Sequence, residues 1–186
     1  MRKTLLLLLI LLSFPSNSQV LKDVIQLSED LELRQISDHI YLHRSYTDVP
    51  IYGRVGANGL VVVSQGEAAI LDSPWTNEQT EVLYRWIRDT MHLNVTAFIP
   101  NHWHNDCMGG IGYLLGKNVP VYANNMTIDI ARKKGLPLPT KGFNDSLGLN
   151  LGALELKCYY PGAAHSTDNI AIWIPAEKTL FAGCTV

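Results

Sequence analysis

Cysteine is scarce in this chain: three thiols, Cys107, Cys158 and Cys184, in 186 residues. So few exclude a disulfide scaffold, and an odd number cannot all pair within one chain. An excess of basic charge is missing as well. The 15 basic residues are outnumbered by 17 acidic ones, with no basic stripe, which excludes nucleic acid as a partner. The sequence has no internal repeat and no linker, so one domain is the simplest organisation. Its one long apolar run, Leu5 to Leu12, has eight residues, short of the about 20 that span a bilayer.

That run belongs to a targeting pattern. Arg2 and Lys3 precede it, and Ser16-Asn17-Ser18 offers small residues at −3 and −1 of a cleavage point. We expect residues 1–18 to be a signal peptide and 19–186 the mature domain. No cysteine lies near the cut to carry a lipid, so the exported product has no stable membrane anchor. Cleavage removes two basic residues and no acid, leaving 13 basic against 17 acidic. In an oxidising compartment, a thiol that stays free is buried or bound to metal.

Hydrophobic periodicity predicts a short strand at Ile40 to Leu42, then a long hairpin loop from Ser45 to Gly59. The loop holds Gly53, Gly56 and Gly59 and an apolar tip of Val49, Pro50, Ile51 and Tyr52. Such a tip either closes over something or packs onto its own domain. Leu60 to Val63 and Ala68 to Leu71 read as paired strands around a Gly66-Glu67 turn, ended by Asp72-Ser73-Pro74. Thr76 and Gln79 fit a capping box opening a helix from Asn77 to about Met91, with Val82, Leu83, Trp86 and Ile87 on its core face. Further strands are expected at Val95–Ile99, Val119–Tyr122, Leu154–Tyr160, Asn169–Ile174 and Thr179–Phe181. Helices are expected from Gly109-Gly110 to Leu115 and over Thr127–Lys134. Hairpins mixed with βα units imply an α/β layered domain with a mixed sheet.

The chemistry concentrates after the Val95–Ile99 strand, in Asn101-His102-Trp103-His104-Asn105-Asp106. On extended backbone, residues two apart share a face, so both imidazoles could reach one ion. Paired histidines at a strand end can also be plain surface residues; Asp106 and the Gly109-Gly110 turn favour metal. His165 and Cys184 each follow or precede a strand far along the chain. A catalytic zinc takes three protein ligands and an open position. His102, His104 and His165 make such a set, leaving Asp106 and Cys184 for a neighbouring second ion. His39, His43 and His92 read as structural or surface histidines, and Cys107 and Cys158 as small core residues.

These motifs closely resemble those of the class B metallo-β-lactamases, subclass B1. The resemblance runs from the hairpin through the His102–Asp106 motif and Ala164-His165-Ser166-Thr167-Asp168-Asn169 to Phe181-Ala182-Gly183-Cys184. It implies a four-layer αββα sandwich. It also implies a first zinc on His102, His104 and His165, a second on Asp106 and Cys184, and an orienting role for Asp72 behind the ligands. Other hydrolases of that fold, such as thioesterases and lactonases, carry a histidine after the aspartate and a late aspartate ligand. Here Cys107 and Cys184 stand at those places, and the single-zinc lactamases have asparagine where His102 stands.

The implied activity is zinc-dependent hydrolysis of penicillins, cephalosporins and carbapenems by a periplasmic monomer whose partner is the small β-lactam itself. Asp106 would orient the nucleophile, and the Val49–Tyr52 tip would cover the substrate. The family continues past the equivalent of Val186 with a further histidine, a lysine and an asparagine. The resemblance therefore implies an incomplete second half and a fragment that turns over poorly. A non-catalytic exported zinc-binding protein remains the reading from a different class.

Overall fold

The computed structural model describes residues 23–185; the signal-peptide reading of 1–18 lies outside the described residues. Among the described residues, twelve strands run in chain order: β1 (Val24–Ser28), β2 (Leu31–Gln35), β3 (Ile40–Val49), β4 (Gly53–Ser64), β5 (Glu67–Leu71), β6 (Asn94–Ile99), β7 (Tyr122–Asn124), β8 (Lys141–Phe143), β9 (Ser146–Leu151), β10 (Leu154–Tyr159), β11 (Ala171–Ile174) and β12 (Thr179–Phe181). The α-helices are α1 (Asn77–Arg85), α2 (Asn105–Met108), α3 (Ile111–Gly116) and α4 (Asn125–Lys134). β1 to β6 form one sheet in sequence order, antiparallel except for the parallel β5–β6 pair, so the sheet is mixed as expected. β9 to β12 form a second, antiparallel sheet.

Central strands of the first sheet are apolar on both faces because both faces are covered. Leu60 and Val62 of β4, Ala69 and Leu71 of β5, and Ala97 and Ile99 of β6 enter one core. There they meet Leu154, Leu156 and Cys158 of β10 and Ile172 and Ile174 of β11 from the second sheet. The alternate residues Val61, Val63, Ala68, Ile70 and Phe98 enter another core with Leu83, Ile87, Ile111 and Leu114 from the helical side. A strand buried on both faces reads as a continuous apolar run rather than an alternation. β10 shows the opposite pattern, with Leu154, Leu156 and Cys158 buried and Glu155 and Tyr159 exposed. The described residues thus form helix, sheet and sheet layers in order, three of the four layers of an αββα sandwich. No α-helix among them contributes to the core between the sheets.

Several expectations shift in detail. The loop expected over Ser45–Gly59 is a long two-stranded hairpin: β3 and β4 pair without a break from Ile40↔Val62 to Val49↔Gly53. Only Pro50, Ile51 and Tyr52 form the tip. The glycines did not break the ladder, because strand pairing supplied the backbone hydrogen bonds that their lack of side chains left undefended. The helix expected from Asn77 to Met91 changes pitch part-way, with a π turn over Trp86–Thr90 closed by Met91 N–H to Trp86 C=O at 3.2 Å. Its capping box is half formed. Thr76 Oγ1 accepts the Gln79 N–H at 3.2 Å, but the Gln79 side chain donates to the Tyr46 carbonyl at 2.7 Å instead. That bond ties the start of α1 to the hairpin.

Candidate metal centre

Two strands end side by side and aim the site. β5 ends at Leu71, and Asp72 turns the chain with a φ of 56°. β6 ends at Ile99, and the bend after it carries His102 and His104. These histidines are therefore not on extended strand, as the spacing suggested. His104 caps α2 with extended backbone (φ −68°, ψ 161°), and Asp106 sits in the first turn of α2. A turn and a helix cap bring the imidazoles together where a strand would have stacked them.

His102 Nε2 lies 2.8 Å from His104 Nδ1, which lies 3.1 Å from His165 Nε2. The potential ligand atoms of the three lie within 4.8 Å of one another. His104 Nδ1 faces two ring nitrogens but carries either one proton or one lone pair, so it cannot make a full hydrogen bond to both. Three ring nitrogens converging on one point match the demands of a shared cation. Burial pushes the pKa of His102 from 6.5 to about 4 against the opposing pull of Asp106, and burial also lowers that of His104. Both rings are held in the neutral form that binds metal.

Asp106 and Cys184 come together beside this trio. Cys184 Sγ lies 3.4 Å from Asp106 Oδ2, and Asp106 Oδ1 lies 3.9 Å from His102 Nε2. Partial burial, and then the Asp106 charge, push the Cys184 thiol up to about 11. A cation between thiol and carboxylate would reverse that second effect. A cavity of about 340 Å³ opens on this side, lined among others by Leu42, Asp72, Asp106, Phe181 and Cys184. Gly183 (φ +53°) lets the Cys184 loop approach: a Cβ there would lie 2.6 Å from Asn101 Cγ.

Asp72 lies beside these candidate ligands, lining the same cavity as Cys184. It is buried, and its Oδ1 accepts the Asn101 N–H at 2.5 Å. Burial raises its pKa to about 8 despite that bond. Cys107 departs from expectation. It lies on helix, not on extended backbone pointing away from Asp106, and its Sγ is 3.2 Å from His102 Nδ1. It is buried as expected, but against the site. Cys158 is a core residue between the sheets, as read.

Asp168 joins the site without standing out in the sequence as a functional residue. It is fully buried and accepts three hydrogen bonds: from the Trp103 N–H at 3.0 Å, Thr127 Oγ1 at 2.7 Å and Ser166 Oγ at 2.5 Å. It thereby clamps the loop of His165 to the bend of His102 and His104. An acid three residues past a candidate ligand was the available signal. The hairpin tip holds Ile51 fully exposed and Tyr52 at 79% exposure. It does not pack onto its own domain.

No family model matches the chain. It is 47% identical over 182 residues to the metallo-β-lactamase type 2 of Bacteroides fragilis, covering 98% of this chain and 72% of that protein. The chain belongs to the metallo-β-lactamases. A further relative is the metallo-β-lactamase type 2 of Pseudomonas aeruginosa, 31% identical over 157 residues, of which the match covers 63%. Among solved structures, TMB-1 superposes with a TM-score of 0.79 at 38% identity, over 83% of this chain and 70% of that one. The family's motifs place this member in subclass B1.

Proposed function

We propose that this metallo-β-lactamase hydrolyses the amide of β-lactam rings, in penicillins, cephalosporins and carbapenems, with two zinc ions. His102, His104 and His165 would hold one ion, and Asp106 and Cys184 would contribute to holding the other. The convergence of three imidazole nitrogens beside a carboxylate and a thiol carries this reading. Nitrogen and sulfur donors suit zinc, and three of them leave a position open.

Bound zinc supplies a Lewis acid for the ring carbonyl and lowers the pKa of water from about 16 to about 7. The chain's own residues do the rest. Asp106, which lines the cavity, would orient the attacking water. The water oxygen joins the carbonyl carbon, the C–N bond breaks, and the nitrogen takes up a proton that Asp106 can carry. Ile51 and Tyr52 would lie over the apolar parts of the substrate and exclude bulk water. Export to the periplasm extends the reading, supported by the residue pattern of 1–18.

Protein carrying this chain, loaded with zinc, is expected to hydrolyse the chromogenic cephalosporin nitrocefin. A chelator should abolish the activity and two equivalents of zinc should restore it. Zinc-loaded protein that leaves nitrocefin intact while cleaving a thioester or lactone would overturn the proposal.

A further inference from the structure

His43 is a buried titratable group that the proposed chemistry does not use. It stands on β3 with 1% exposure, and its Nε2 lies 2.9 Å from the carbonyl oxygen of Asp72. A carbonyl can only accept, so in the neutral ring the proton must sit on Nε2. Burial keeps the ring neutral, lowering its pKa from 6.5 to about 4. Nδ1 is then an acceptor with no hydrogen-bond partner among the described residues. A buried polar atom without a partner costs stability, so packing alone would favour an apolar ring here.

The carbonyl that His43 grips belongs to a residue in an unusual conformation. Asp72 sits at φ 56°, the left-handed region, uncommon for a non-glycine residue and tolerated by Asp where its side chain finds a local hydrogen bond. In that turn its carboxyl reaches the Asn101 N–H. Asn101 and Cys107 both lie against Nδ1 of His102, at 3.3 and 3.2 Å. β4 makes room for the His43 ring at the residue opposite: a Cβ on Gly59 would lie 2.3 Å from Nε2 and 2.6 Å from the Leu71 carbonyl.

We propose that His43 is a positioning residue for the metal centre, whose Nε2–H pins the Asp72 peptide in its left-handed turn. The pinned turn aims the Asp72 carboxyl at the Asn101 N–H, and Asn101 in turn backs His102 through its side-chain oxygen. A phenylalanine would fill the same space without donating. A glutamine, whose side-chain N–H reaches about as far from the backbone, would donate to the same carbonyl.

This inference rests on the metal-centre reading, and the test separates the two. Zinc affinity is measured by competition with a chromophoric chelator for wild type, His43→Phe and His43→Gln, with circular dichroism to report the fold. Loss of a partner behind a ligand weakens metal binding about tenfold to a hundredfold. That loss is expected for His43→Phe, with His43→Gln restored to near the wild-type value. Equal affinity of His43→Phe and wild type, or equal weakness of both variants, would overturn the positioning role. Wild type that binds no zinc would overturn the metal-centre reading and this inference with it. Nitrogen-15 spectra of wild type decide the matter even if His43→Phe fails to fold: a His43 ring protonated on Nε2 supports the pin, and one protonated on Nδ1 refutes it.

Discussion

Replacing Asp168 by alanine removes the acceptor that three donors share: the Trp103 N–H, Thr127 Oγ1 and Ser166 Oγ. Thr127 is fully buried, so water cannot readily take the place of the lost oxygen. A buried donor left without a partner costs roughly 1–3 kcal/mol. The Ser166 hydroxyl is less buried and can turn away, so we expect Asp168→Ala to cost about 3–5 kcal/mol, a large share of a typical 5–15 kcal/mol. Asp168→Asn should cost only about 1 kcal/mol, since its oxygen can keep Trp103 and Thr127 while its amide donates to the Ser166 hydroxyl. The site should follow the same order. The Trp103 peptide lies between His102 and His104, so freeing it lets the two imidazoles drift, and zinc affinity in the alanine variant should fall about tenfold or more. Urea unfolding measures the first quantity and chelator competition the second. Asp168→Ala within 1 kcal/mol of wild type, or Asp168→Asn as costly as alanine, would refute the clamp.

The hairpin tip should matter to substrate and not to stability. Ile51→Ser with Tyr52→Ser is expected to leave the melting temperature unchanged and raise KM for nitrocefin several-fold, because these exposed side chains give up nothing on unfolding. Gly183→Ala combines a positive φ with a clash against Asn101 and should cost about 2 kcal/mol, read by thermal melting. The acid limb of stability should carry a mark of His43. Its folded pKa is about 4 and its unfolded value 6.5, so between them the unfolded chain binds more protons. Stability then falls as pH drops through that window, by up to about 3 kcal/mol. His43→Gln lacks this loss, and the raised pKa of Asp72 is common to both proteins to a first approximation. Wild type should therefore lose more stability than the variant between pH 7 and 4.5, and parallel urea midpoints would count against the assignment.

What was legible in the sequence was local or nearly so. Both-face burial in β4, β5 and β6 showed as unbroken apolar runs, and the Thr76 cap showed in residue type and position. His102, His104 and Asp106 could be read because they share one short motif after β6, where neighbouring residues in sequence stay neighbours in space. β1, β2, β8 and β9 were missed. Their residues mix polar, glycine and apolar types, as in Ser146-Leu147-Gly148-Leu149, so pairing with a partner strand, not propensity, makes them strands.

Only the tertiary structure decided how the ligand residues face one another and what stands behind them. The sequence motif named His102, His104 and Asp106, but a bend and a helix cap, not strand alternation, converge them. Cys107 passed for a core residue because burial looks the same in sequence whether the neighbour is a leucine or a ligand histidine. Asp168 and His43 act through contacts with residues 65 and 29 positions away. Such pairings are settled by loop closure and packing, and no period in the chain records them.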